Sequence, residues 1–379
     1  MNRREFLKGL GLSTLSLLAA PSLWANSLST MAGNRRILIL IELKGGNDGL
    51  NTLIPYANPA YYSARPSIAI NRSKVLTLSA QLGLNPALQT LMPAWNEGQL
   101  AWLQGVGCDA ENRSHFEAIE VWDTARVDIQ GVNDGWIAQA FAQHPLAGIA
   151  IDTNLGPLYG NNVSALTIAN PQNFAQNGAK IANLKSNSTN KSLQHILSVQ
   201  SQINMLSSTI AEYLKDIPAA KDPFAISNFG QSLNSVYMLI ASGLNVPAYK
   251  ISLENFDSHT NHSLRHQPLL ESLAQGIASM RTNLKRIGMW DEVVIMTYSE
   301  FGRRLKENAS KGTDHGAASV HLVAGGKVKG GFYGEYPSLT DLDERGDLIY
   351  STDFRDIYSI IRNNWWGLSE KHSGNLAFV

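Results

Sequence analysis

Residues 35–43, RRILILIEL, are apolar at nearly every position and stop at KGGNDG. A short apolar run closed by glycines reads as a buried strand entering a tight turn. Six more segments read the same way: QLAWLQGVG (99–107), AGIAIDT (147–153), VSALTIA (163–169), AYKISLENF (248–256), DEVVIMTYSEFG (291–302) and SVHLVAGG (319–326), the last pairing beside the others. Helical spacing of apolar residues fills the intervals: 115–125, 134–143, 191–217, 222–244, 262–288 and 353–367. Strands alternating with helices predict an α/β fold, a three-layer α/β/α sandwich with a mainly parallel central sheet. The polar stretch at 171–192 opens a predicted helical insertion reaching to about 245, on a single domain spanning 35–379.

The 379 residues carry 31 basic and 31 acidic side chains, and the mature chain has no basic run. Nothing in that balance predicts a nucleic-acid partner. The first 25 residues read as a signal peptide: Arg3, Arg4 and Lys8, an apolar stretch from Leu10 to Ala20, and Ala25 at its end. Arg3-Arg4-Glu5-Phe6-Leu7-Lys8 follows the twin-arginine pattern, with Asn2 where Ser or Thr is usual. Its apolar stretch is short of the roughly 20 residues a spanning helix needs. The expected location is periplasmic or otherwise exported, the expected transient partner is the twin-arginine translocase, and no stable membrane span is expected. A single cysteine, Cys108, excludes an intramolecular disulfide and reads as a core residue.

Polar residues with metal-binding or catalytic chemistry cluster just past the predicted strands, where open α/β sheets place their ligands. Asp48 lies in GGNDG, which reads either as a ligand-presenting loop or as a plain turn. Ser114 and Glu117 form a capping box at a helix start, and the same position suits an activated serine, with Arg113 beside it to hold an anion. NFDSHTNHSLRH (255–266) supplies Asp257 and His259, a pair suited to zinc or manganese. His262 and His266 are four apart and read as one face of the following helix. YSEFGRRLKENASKGTDHG (298–316) adds Glu300, Arg303, Asn308, Asp314 and His315.

Taken in order, LKGGNDGLNTLIPY, NRSHFEA, NFDSH, TYSEFGRR and GTDHGAAS followed by VKGGFYGEYPSL resemble the bacterial family called domain of unknown function 1501. The resemblance runs from about Arg36 to the C-terminus. That family is grouped with the alkaline phosphatase and sulfatase superfamily, whose enzymes hydrolyse phosphate or sulfate esters with one or two metal ions. The resemblance implies an alkaline phosphatase-like fold, with Asp48 as first acidic ligand and Ser114 as nucleophile. It further implies Asp257 and His259 as a ligand pair and His315 as the final histidine. The superfamily ends the next strand with Asp-His, which here is Glu300-Phe301, so one histidine is missing.

Together these features predict an exported, metal-dependent hydrolase of phosphate or sulfate esters. Its expected catalytic residues are Ser114, Arg113 and Arg303, and its expected metal ligands are Asp48, Asp257, His259, Glu300, Asp314 and His315. One or two divalent ions are expected, from zinc, manganese, magnesium or calcium. The oxygen-rich part of that ligand set favours the harder three. The expected substrate is a small-molecule or envelope ester. The alternative is a non-catalytic, metal-stabilised binding protein of the cell envelope on the same fold.

Overall fold

The structure is a computed structural model that describes residues 15–16, 35–109, 113–128, 134–161, 163–178, 180, 189–368 and 376–379. The expected signal segment, 1–25, lies outside the described residues apart from its Leu15–Ser16. No helix among the described residues is long and apolar enough to cross a membrane.

In chain order the main elements are β1 (Ile37–Leu43), β2 (Leu100–Gly107), α1 (His115–Thr124), β3 (Gly148–Ile151), β4 (Ala165–Ile168), α2 (Pro171–Gly178), α3 (Lys191–Tyr213), α4 (Asn228–Ala241), β5 (Ala248–Leu253) and α5 (His262–Arg286). They continue with β6 (Val293–Tyr298), β7 (Arg303–Glu307), β8 (Thr313–His315), β9 (Ser319–Gly325), β10 (Gly331–Tyr333), β11 (Thr352–Asp353) and α6 (Phe354–Ile360). Every strand predicted from an apolar run is present. The last predicted helix changes to one π-helical turn at Ile361–Trp365.

Contacts divide the chain into two compact units. In the unit built on Asp134–Ile251, the parallel strands run in the order β4-β3-β5. Helices α2, α3 and α4 belong to it and fill most of the span expected as an insertion. Asn190 caps α3 by accepting from Ser192 and Leu193 amides, and Ser227 caps α4 by accepting from Gly230. Helix α2 packs on α3, and α4 on β3.

The second unit comprises Leu38–Asn133 and Ser252–Val379 and holds every candidate site residue. Its strands run β1-β6-β9-β2-β10, with β11 also on β2. All seven residues of β1 and all eight of β2 are buried, which is why their sequences show no polar alternation. The pairs β6/β9 and β9/β2 are antiparallel, while β10 and β11 run parallel to β2. The α/β class holds, and the sheet is mixed. The connection from β6 to β9 contains no crossover helix, only the hairpin β7/β8, so β9 returns antiparallel. That hairpin sets Arg303 opposite His315.

Helix α1 lays Trp122 flat on Phe354 of α6 at 4.3 Å and edge-on to His321 of β9 at 5.3 Å. His321 is buried, and among the described residues neither ring nitrogen has a hydrogen-bond partner. Burial drives its pKa down to about 3. Its folded pKa lies below the unfolded value of about 6.5, so its neutral form contributes fully above that pH. As pH falls from there toward 3, the unfolded chain takes up a proton that the folded chain refuses. This residue alone then removes up to about 1.4 kcal/mol of stability per pH unit. His321→Leu is expected to fold at neutral pH and to flatten the acid limb of a urea-midpoint against pH curve. An unchanged acid limb would refute this account.

Candidate metal centre

Past β5 the backbone turns at Asn255, whose φ is +77°, and bends again at His259. Between those points burial alternates: Asp257 is exposed and His259 half-buried, whereas Ser258 between them is buried. Phe256 N donates to Lys44 O (3.0 Å), and Thr313 N donates to Ser258 O (3.2 Å). The segment is therefore held between the turn after β1 and strand β8. Gly45 and Gly46 have φ of +115° and +82°. A Cβ on Gly45 would overlap the Asp257 amide, and one on Gly46 the Phe301 ring.

Three imidazoles meet the Asp257 carboxylate, and each is oriented through Nδ1. His115 Nδ1 lies 2.9 Å from Glu300 Oε1, His259 Nδ1 3.1 Å from Asp314 Oδ1, and His315 Nδ1 2.9 Å from Arg113 O. All three partners are acceptors, so in the neutral rings the hydrogen sits on Nδ1 and each Nε2 carries a lone pair. Those Nε2 atoms converge. His259 and His315 stand 3.0 and 3.2 Å from Asp257 Oδ1 and 3.1 Å from each other, and His115 stands 3.5 Å from Asp257 Oδ2. Donor atoms of His115, Asp257 and His315 all lie within 4.8 Å of one another.

Lone pairs facing one another at such distances repel unless a cation or a proton sits among them. Ligands about 2.0–2.1 Å from a tetrahedral zinc ion are about 3.3 Å apart, close to the 3.0–3.2 Å among Asp257, His259 and His315, while His115 stands in a looser group with Asp257 and His315. The residues therefore fit a divalent metal, and the Nδ1 partners supply the orientation that metal-binding histidines need.

Charge is arranged to keep Asp257 ionised. Burial pulls its pKa up, but the buried Arg303 guanidinium, which donates to its Oδ1, outweighs that and holds it at about 2. The Glu300 hydrogen bond raises His115. Burial lowers His315, which favours the neutral ring. The Asn308 amide lowers Asp314, with His259 contributing.

Several predicted residues take other places. Glu300 and Asp314 orient His115 and His259; Glu300 also accepts from Gly45 N (2.8 Å) and Ser299 Oγ (3.2 Å). Arg303 is fully buried and donates to Gly46 O, Gly45 O, Phe256 O, Thr313 O and Asp257 Oδ1. It clamps a ligand and has no donor set aimed at an ester. Asp48 sits in a separate buried cluster, pairing through Oδ2 with Arg65 (2.5 Å) and His262 (2.9 Å). Its Oδ1 accepts from the Leu50 amide (3.1 Å), so the turn explanation of GGNDG describes it. His262 and His266 lie on α5, as expected.

Ser114 is the N-cap of α1, but its side chain makes no capping hydrogen bond, contrary to the capping-box reading. Arg113 reaches Asp347 through Nη2 at 2.5 Å. Its side chain lines a cleft of about 350 Å³ with Cys108, Asp109, Ala317, Arg345 and Tyr350. Cys108 is half-buried there and is not a core residue.

Sequence reasoning missed His115. Its signal was present: it adjoins Ser114 at a helix start that follows a buried strand. Its ring packs against Phe301 (5.0 Å between centroids) and His315 (4.6 Å). An imidazole from α1 thus stands beside the phenylalanine where the resemblance left a histidine missing.

The fold is similar to several solved structures. The lipoteichoic acid synthase LtaP from Listeria monocytogenes is 10% identical, with a TM-score of 0.41 over 97% of this chain and 78% of that one. The C-terminal periplasmic domain of EcEptC from Escherichia coli, in complex with Zn, is 10% identical, with a TM-score of 0.43 over 89% and 84%. A protein in the alkaline phosphatase superfamily from Vibrio parahaemolyticus is 9% identical, with a TM-score of 0.41 over 96% and 75%. No curated protein matches the chain. Residues 169–354, just under half of the chain, match the family described as Protein of unknown function (DUF1501), so the resemblance read from the motifs holds over that segment.

Proposed function

We propose that the chain is a metal-dependent hydrolase of phosphate or sulfate esters, exported by the twin-arginine translocase with residues 1–25 as its signal. The observation that carries this reading is the convergence of three Nδ1-anchored histidines on one ionised aspartate. A nitrogen-rich set of His115, His259, His315 and Asp257 suits zinc better than magnesium or calcium, the reverse of what the predicted ligands favoured. Held by those residues, a divalent ion would supply Lewis acidity to an ester oxygen.

The chain's own groups supply the rest. Ser114 precedes His115 directly and opens α1, where the first-turn amides favour an anionic group. Its Oγ attacks phosphorus or sulfur and loses its proton as the new O–P or O–S bond forms. The bond to the alcohol oxygen breaks, and the alcohol leaves with a proton. Water then hydrolyses the serine ester and returns Oγ–H. With Arg303 committed to Asp257, Arg113, which pairs with Asp347 through Nη2, would bind non-bridging oxygens with its remaining N–H groups. The cleft it lines falls in the size range of small-molecule sites and would take the alcohol portion.

The second reading, a metal-stabilised binding protein, draws support from Arg303. One of the two basic groups expected to hold the ester is buried as a clamp instead. Stoichiometric metal without turnover of any phosphate or sulfate ester would favour that reading.

Two measurements test the proposal. Mass spectrometry of the purified protein is expected to find about one zinc-class ion per chain. His115→Ala and the double variant Asp257→Ala/His259→Ala are each expected to lose it. Native protein that takes up no zinc, manganese or calcium would refute the metal reading. Ser114→Ala should keep the ion and lower kcat at least about a thousandfold. Full turnover in that variant would remove Ser114 as nucleophile.

A further inference from the structure

Behind the ligand segment lies a second chain of polar groups that the proposed chemistry does not use. Ser258 Oγ is 2.7 Å from His262 Nδ1, His262 Nε2 is 2.9 Å from Asp48 Oδ2, and Arg65 Nη1 is 2.5 Å from the same oxygen. All four side chains are buried. Arg65 extends the chain into β7, donating to Leu305 O and Arg304 O at 2.8 Å each.

The order Ser-His-Asp is that of a nucleophile and its base. Ser258 is sealed from solvent, however, so no substrate reaches it and its effect is positional. Asp48 and Arg65 offset each other's charge. The approach of His262 Nε2 to Asp48 is a 2.9 Å charge contact without hydrogen-bond alignment. An acceptor-only carboxylate so close favours the tautomer with its hydrogen on Nε2, which leaves Nδ1 to accept from the Ser258 hydroxyl. Burial alternates along Asp257, Ser258 and His259, so holding Ser258 inward keeps its two neighbours on the open side. The same relay grips β7, the hairpin partner of the strand that carries His315.

We propose that the buried Ser258–His262–Asp48–Arg65 relay positions Asp257 and His259 against His315, so that metal affinity depends on residues that never touch the ion. Ser258 and His262 are positioning residues in this scheme, which rests on the metal reading above. Losing the support of a ligand typically weakens metal binding about 10–100-fold.

The experiment is a zinc affinity measurement by chelator competition, with the visible spectrum of the cobalt(II)-loaded protein and the melting temperature of the metal-free protein recorded alongside. Ser258→Ala and His262→Leu are expected to weaken zinc binding about 10–100-fold and to alter the cobalt ligand-field bands. His262→Gln, which keeps a donor for Asp48 and an acceptor for Ser258, is expected to restore part of both. Metal-free Ser258→Ala is expected to melt within a few degrees of the parent. Wild-type affinity and an unchanged cobalt spectrum in Ser258→Ala and His262→Leu would overturn the proposal. Weaker binding with an unchanged spectrum would also overturn it, because the loss would then be one of stability alone. A parent protein that binds no metal would overturn the metal reading and this inference together.

Discussion

The guanidinium of Arg303 ties together three segments far apart in sequence. It donates to Gly46 O and Thr313 O at 2.8 Å, to Phe256 O at 3.3 Å, to Asp257 Oδ1 at 2.7 Å and to Gly45 O. A buried cation is costly unless its donors are met. Here one carboxylate and four carbonyls satisfy it. Lysine has one compact charge and no planar fork, so it could not bridge the same atoms. The arrangement also accounts for the two glycines after β1. Their positive φ turns both carbonyls toward Arg303, and the missing Cβ atoms leave room for Asp257 and Phe301.

Strand positions were legible because full burial leaves an unbroken apolar run, as in Ile37–Leu43, and periodicity reports burial directly. Strand direction was less so. The antiparallel course of β9 depends on a hairpin at 303–315 that reads, from composition, as a glycine-rich loop. In the site, Asp257, His259 and His315 could be singled out because ligand-type residues followed predicted strands. Their partners could not be assigned, since a carboxylate that binds a metal and one that orients a histidine look alike in sequence. Glu300, Asp314 and Asp48 are three such cases. His115 escaped because Ser114 and Glu117 already matched a capping box, which left the two residues between them without a question to answer.

That omission changes the chemistry inferred for the ion. Oxygen donors such as Asp48 and Glu300 pointed to a hard cation, whereas three imidazoles and one carboxylate make a borderline, nitrogen-rich set. It also changes the meaning of Phe301. As a replacement for a ligand it signalled a lost ion. Packed against both His115 and His315, with ring centroids at 5.0 and 4.3 Å, it becomes an apolar wall beside two rings that also touch each other.

The centre is built asymmetrically. Its rear is fixed by buried groups: Arg303 on Asp257, Glu300 on His115, and Ser258 between Asp257 and His259. Its front is open, with Asp257, His259 and Asp314 each about half exposed on the side chain. Structural zinc sites are closed by four protein donors, while catalytic ones keep a position free for water or substrate. His259, His315 and Asp257 form a tight trio at 3.0–3.2 Å, and His115 stands farther off, 3.5 Å from the second carboxylate oxygen. Three close donors on a rigid back wall, facing solvent, resemble the open arrangement more than the closed one.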